Sequence, residues 1–425
     1  MSQLLIKDRP RLLAPVDRVS LHRPTGKLLV PAWAIKPGTD WKALAALDIL
    51  PGIGGGDRGV NTEGDLLTTT ADGRDLNEIW NLLQTVLGRW NSQRQAIIDF
   101  LTFGVTEAVE FVPQVPQVDF EEASEFGEPK RIRGVTYSRF SYDFRWFDVG
   151  VSYTWKFLLG ASASQIATLA NQVLEADNRL VFARVLKAIF NNVNRTVDNN
   201  GTTDTVYPFY NNDGTTPPTW KTTSHTSTHD HYLFSTSTTT NVYQNSDIVA
   251  IEGHLTHHGY GAVSGSRLVM MMNSANTGII RGAKAGVNSV SGADPWLYDF
   301  IPSASQPAFF GQNVLGGGQP SGNLAGLNVI GTYGNFLVIE DDWLPAGYIF
   351  TFATGGEDAA DNPVGLREND RARGLRLVKG AVPDYPLIDS FYNRGFGTGV
   401  RKRGAGTVMQ VVGVGAAYTI PTAYV

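Results

Sequence analysis

The chain has 425 residues, 46 of them glycine and none cysteine, with a formal net charge of −5. This excludes disulfides, thiolate metal centres, cysteine nucleophiles and a generally basic nucleic-acid binder. Apolar residues at 42% suffice for a sizeable core, and abundant glycine among many short β-like runs points to a loop-rich α+β protein rather than a helical bundle.

Residues 1–70 carry many breakers, among them Pro10, Pro15, Pro24, Pro31, Pro37 and Pro51, and read as an extended arm. The amino terminus has no continuous apolar h-region, so the chain is expected to be made in the cytoplasm and not exported. The arm is basic at Lys7, Arg9, Arg11, Arg18 and Arg23. Either these are solvated tail charges, or the arm lies on a neighbouring subunit or faces nucleic acid; an arm this long gains little from its own chain and needs a partner surface to become ordered. A helix is predicted over about Asp75–Phe103, with Leu76, Ile79, Trp80, Leu83, Leu87 and Trp90 on one face. From Gly104 the period changes to two. FVPQVPQVDF (111–120) and VTYSRFSYDFRWFDVGVSYTW (135–155) read as the two long strands of a hairpin that cannot bury both faces on itself. Its tip is polarised: Glu121, Glu122, Glu125 and Glu128 precede Lys130, Arg131 and Arg133. That charge either neutralises itself on the surface or pairs acid to base across subunits.

Ala161–Asn192 is the longest uninterrupted helical signal, with no Gly or Pro. Ile166, Leu169, Val173, Ala176 and Leu180, then Val181, Val185, Ala188 and Ile189, share one broad face, and Ser162 or Ser164 can cap the start. At 1.5 Å per residue it would be roughly 45 Å long, a spine rather than an ordinary helix. Residues 194–245 are rich in Thr, Ser, Asn and Gly and read as turns, hairpins or a surface loop. His225, His229 and His231 lie here, and His254, His257 and His258 follow on a helix expected over about Asp247–His258. The zinc pattern HExxH is absent, because Glu252 precedes the histidines; they are read as scattered surface residues, with no metal site. Farther on, SRLVMMMN (266–273) reads as a buried strand, SANTGIIRG (274–282) as a short helix or turn, and residues 327–354 as two or three strands. Residues 396–414 look like a strand or strand pair around a basic turn at Arg401, Lys402 and Arg403.

No phosphate-cradling loop, dinucleotide fingerprint or nucleophile elbow occurs. The trio Glu340, Asp341 and Asp342 offers carboxylates, but neighbours along a strand point to opposite faces and do not converge. No catalytic residue, cofactor site or cofactor is expected, and a structural role fits better than an enzymatic one. The other class considered is a β-rich glycan-binding or hydrolytic protein that uses its aromatics as stacking platforms.

The order of parts resembles the major capsid proteins of tailed bacteriophages, with the Hong Kong 97 phage fold shared by encapsulin shells. NRLVFARVLKAIFNN on the spine, FYNNDGTTPPTW after it, GNFLVIEDDWLPAGYIFTFATGG, VGLREN and GTGVRKRGAGTVMQVV carry the likeness, which extends to those of actinobacterial phages. The resemblance implies an α+β fold in seven parts. Residues 1–70 would be an amino-terminal arm, 71–103 the first helix of a peripheral domain, and 104–155 an extended loop reaching over an adjacent subunit. Residues 156–240 would be the peripheral domain with its spine (161–192) and insertion, 241–350 an axial domain, 351–410 a return to the peripheral domain, and 411–425 the final axial strand. It also implies self-assembly into pentamers and hexamers of an icosahedral shell, packaged double-stranded DNA held by non-specific contact, a portal, a separate scaffolding protein, a possible decoration protein, and no membrane. An encapsulin-type compartment is the alternative within the fold. Lys130 and Asn393 are conceivable partners in a covalent cross-link, with no acidic catalyst legible beside them. The charged loop tip and the basic turn Arg401, Lys402 and Arg403 are the intersubunit contact candidates.

Overall fold

The computed structural model describes residues 69–92, 96–114, 120, 122, 125, 127, 136–151, 153–199, 201–261, 265–289, 292, 294–303, 322–324, 327–379 and 390–424. In chain order the elements begin with α1 (Leu76–Ser92), α2 (Ala96–Leu101), β1 (Thr102–Val105), β2 (Val109–Gln114), β3 (Thr136–Ser141) and β4 (Asp143–Val151). Next come α3 (Trp155–Gly160), α4 (Ala163–Phe190), β5 (Arg195–Asn199), β6 (Thr202–Val206), β7 (Tyr232–Phe234), α5 (Asn245–Thr256), β8 (Arg267–Met272) and α6 (Ser274–Arg281). The chain continues through β9 (Phe300–Pro302), β10 (Asn323–Leu324), β11 (Leu327–Tyr333), β12 (Phe336–Glu340) and β13 (Tyr348–Thr354). It ends with β14 (Val364–Glu368), β15 (Arg376–Lys379), β16 (Ser390–Val400) and β17 (Gly406–Gln410). Among the described residues no helix is long and apolar enough to cross a membrane.

The chain divides into two compact units. In the first, residues 1–83, 152–169 and 381–389, the predicted face of α1 is buried at Leu76, Ile79, Trp80 and Leu83, as are Tyr153, Leu158 and Ile166. The start of α4 is capped from a distance. Both Asp72 carboxylate oxygens accept the Ala163 N–H at 3.2 Å, and Ala71 N–H donates to the Ala161 carbonyl at 3.0 Å. Ser162 and Ser164, the expected caps, hydrogen-bond each other through their hydroxyls instead.

The second unit, residues 84–151, 170–380 and 390–425, holds two large sheets. One has eight strands, in the order β10-β11-β12-β8-β13-β17-β7 with β9 beside β11. The other has five, β1-β14-β16-β15, with β4 along the opposite edge of β16. The second half of α4 is shared by both. Val181, Phe182, Val185, Leu186, Ala188, Ile189 and Phe190 form one core with Val269, Met271, Val329, Ile339, Phe350 and Val408 of the eight-stranded sheet. The same core takes in Val364, Leu366, Phe396 and Val400 of the five-stranded sheet. A second core lies between α5 and the eight-stranded sheet, where Ile248, Ile251 and Leu255 meet Met270, Met272, Ile349 and Met409. The run of consecutive buried residues in β8 is what a strand covered on both faces requires.

Several expectations change. The helix expected over Asp75–Phe103 is two helices, and Thr102 already begins β1, which pairs in parallel with β14. The alternating run 135–155 is not one hairpin strand. It breaks at Tyr142, whose ring is wholly buried, so β3 pairs with β2 while β4 joins β16. Period two sets which face a residue takes but not which strand it pairs with. The strand or strand pair expected around residues 401–403 is two strands, β16 and β17, which belong to different sheets, and the basic turn crosses between them. The final strand expected after Val411 is β17, ending at Gln410. Residues 327–354 form three strands, and SANTGIIR forms α6.

Candidate assembly surface and histidine cluster

The β2–β3 hairpin carries an apolar face that the described residues of its own chain leave largely exposed. Phe111 is 60% exposed and Tyr137 64%, and the antiparallel register puts Phe111 opposite Arg139 and Pro113 opposite Tyr137, all on one face. Among the described residues β4 pairs on one side only, and it shows Trp146 and Val149 to solvent. A third apolar group, Val287, Leu297, Tyr298 and Ile301, stands exposed around the start of β9. Large aromatics concentrated on strand faces are what an interface between subunits uses.

The charged candidates fall out unevenly. Glu122 and Glu125 are exposed. Glu121, Glu128, Lys130, Arg131 and Arg133 lie outside the described residues, as do the arm's Lys7, Arg9, Arg11, Arg18 and Arg23. The basic turn finds partners within its own chain, and of its three residues only Arg403 is buried. Its guanidinium donates to Asp213 and Asn211 at 2.9 Å and to the Pro208 carbonyl at 3.0 Å, and stacks 4.6 Å from the Tyr210 ring centre. Arg401 pairs with Glu110 at 3.3 Å and lies 3.9 Å over the Phe103 ring; Lys402 pairs with Asp361. A charged triplet at a turn reads as solvated, and only its tertiary partners reveal otherwise. The acidic trio is dispersed among separate partners: Glu340 takes Thr277 and Arg281, Asp341 the Trp343 N–H, and Asp342 the Ser274 N–H. An acid does stand beside Asn393. Its side-chain amide donates to Asp148, the residue opposite it in the β4–β16 ladder.

The histidines are not scattered. Six of the seven in the chain converge. His231 leads into β7 and is fully buried, with its main chain bonded to Tyr210 and Val408 on either side. His254, His257 and His258 stand at i, i+3 and i+4 on and just after the end of α5, so they share a face. The Nε2 atoms of His229, His231 and His258 lie 3.0–3.1 Å from one another, and His257 Nε2 is 3.3 Å from that of His229. Two glycines make the room. A Cβ on Gly404 would meet the His258 ring at 2.8 Å, and one on Gly259, at φ +89°, would meet the Trp220 ring at 2.5 Å. The signals in the sequence are the i, i+3, i+4 spacing and the crowding of six histidines between positions 225 and 258.

No protein-family model and no curated protein sequence matches the chain. Among solved structures, one from Mycobacterium phage Patience is 39% identical, covers 87% of this chain and 97% of that chain, and has a TM-score of 0.67. The capsid of a native GTA particle is 13% identical over 74% of this chain and 89% of its own, at a TM-score of 0.43. The bacteriophage PhiM1 mature capsid is 9% identical over 75% and 86%, at 0.43. With two mixed sheets sharing one long helix, a hairpin whose aromatics stand exposed among the described residues and identity at this level over nearly the whole length, the chain belongs to the major capsid proteins of tailed bacteriophages, of the Hong Kong 97 fold.

Proposed function

We propose that this subunit closes its shell by laying the β2–β3 hairpin and the residue 1–70 arm over neighbouring subunits, with α4 as a stiff spine. The observation that carries this reading is the exposed aromatic face of the hairpin at Phe111 and Tyr137, which gains its burial when a second copy covers it. The parts take the roles that the family implies, with bounds that follow the sheets: the β2–β3 hairpin as the extended loop, the eight-stranded sheet as the axial part and the five-stranded sheet as the peripheral part. The exposed group Val287, Leu297, Tyr298 and Ile301 then packs around the five-fold and six-fold centres. Assembly takes place in the host cytoplasm, with a separate scaffolding protein and a portal. Packaged double-stranded DNA touches the inner face by non-specific contact, with the arm's Lys7, Arg9, Arg11, Arg18 and Arg23 as its cationic partners.

The experiment is electron microscopy and sedimentation of the purified protein, alone and co-expressed with the phage scaffold. Pentamers, hexamers or closed shells are expected, and monomers under every condition would sink the reading. Reversing Lys130, Arg131 and Arg133 to Glu should lower shell yield while leaving the circular dichroism spectrum unchanged. Normal shells from that variant would remove loop-tip pairing from the scheme.

A further inference from the structure

The assembly reading makes no use of the histidines. We propose that His229, His231, His257 and His258 hold one divalent transition-metal ion, Zn²⁺ by ligand preference, which fastens the Thr/Ser-rich segment before β7 to the end of α5.

The geometry is that of a ligand set. A neutral imidazole nitrogen carries either a proton or a lone pair, so three Nε2 atoms within 3.0–3.1 Å of one another cannot all satisfy each other. The Gly406 carbonyl, 2.7 Å from His231 Nδ1, can only accept. Nδ1 therefore carries the proton, and His231 Nε2 turns a lone pair to the centre of the cluster. A carbonyl behind the ring is also how metal-bound histidines are held in tautomer and orientation. An ion with bonds of about 2.0–2.1 Å to tetrahedral nitrogens sets them about 3.3–3.4 Å apart. The separations among His229, His231 and His258, and that of His257 from His229, are 3.0–3.3 Å and need only slight expansion to reach that.

An all-imidazole set suits zinc, copper or nickel and does not suit magnesium or calcium. His225 and His254 flank the four. The quartets His225, His229, His257, His258 and His229, His231, His254, His257 share two members, so the cluster offers one position rather than two independent ones. A cavity of about 240 Å³, lined by Tyr210, Trp220, Tyr260 and Lys402, opens onto His258 and gives an entry path. The basic turn at its rim does not repel a cation, because Arg401, Lys402 and Arg403 are each paired to a carboxylate. In a chain without cysteine, such an ion does the work of a cross-link between the insertion and the sheet domain.

The test uses the full-length protein without an affinity tag, stripped with a chelator and reloaded with Zn²⁺ alone or Co²⁺ alone. About one ion per chain should survive gel filtration, Zn²⁺ should raise Tm, and Co²⁺ should show the visible ligand-field bands of a tetrahedral nitrogen site. The combined change His229→Gln and His258→Gln should abolish retention and the bands, whereas His22→Gln should leave both. Absence of Co²⁺ bands together with no Zn²⁺-dependent rise in Tm in the wild-type protein would overturn the site, whatever the folding of the variants. Undiminished retention by a folded double variant would overturn the ligand assignment.

Discussion

Arg403 shows what a single side chain does when a turn crosses between two sheets. Its side chain is 3% exposed and that of Asp213 9%, so neither charge has water to fall back on. Burial pushes the Asp213 carboxyl up, but the hydrogen bond from Asn194, the Arg403 guanidinium and the Thr215 N–H outweigh it and hold the carboxyl below its ordinary 3.8. Arg403→Ala should destabilise by about 3–5 kcal/mol, because it leaves a carboxylate buried without its partner. Equilibrium denaturation measures this, and a loss below about 1 kcal/mol would mean that water reaches Asp213. The sign of the pH dependence follows from the lowered value. The unfolded chain binds the proton more readily, so the contribution is complete above about pH 4 and fades as the pH falls below it. Asp213→Asn should therefore flatten the acid limb of the stability curve. None of this was legible in the sequence, where Arg401, Lys402 and Arg403 look like any solvated basic turn. Burial of a charge is decided by partners far along the chain, here residues 208–213.

Among the elements, α4 was the most legible, because a period of 3.6 sustained over 28 residues leaves few alternatives. Its cap was not, since Asp72 lies 91 positions away from Ala163. Strand existence was legible too, whereas pairing was not: one alternating run became β3 and β4 because Tyr142 turns inward between them. The joint depends on a missing side chain. A Cβ on Gly365 in β14 would lie 2.3 Å from the Tyr142 ring, whose hydroxyl donates to Glu110 at 2.9 Å. Gly365→Ala should cost about 1–3 kcal/mol by overpacking this site. Gly104→Ala is the matched control in the adjoining strand, where the new methyl would meet only an Asp358 oxygen at 3.7 Å. Equal Tm values for the two variants would show that Tyr142 can move aside and that the joint is soft. The histidine cluster belongs to this scale as well. The helix end of α5 and the lead into β7 were each recognisable, but their adjacency comes from the parallel pairing of β7 with β17, which a local pattern does not encode.

For the whole molecule, stability and assembly draw on different residues. The two cores shared by α4, α5 and the sheets are filled by the subunit's own side chains, while Phe111 and Tyr137 contribute little to the isolated chain because they stand mostly in water. Changing both to Ser should therefore leave the Tm of the free subunit within a few degrees, while removing apolar area that only a neighbour can cover. At a transfer value of about 25 cal/mol per Å², two fully covered aromatic rings are worth roughly 3–6 kcal/mol per contact, and each contact recurs at every position of the shell. Shell yield, read by sedimentation, should fall steeply at a protein concentration where the wild type closes. A double variant that assembles normally would move the assembly energy away from this hairpin and toward the exposed β4 edge at Trp146 and Val149. A variant that fails to fold would instead mean that the hairpin face is covered within its own subunit.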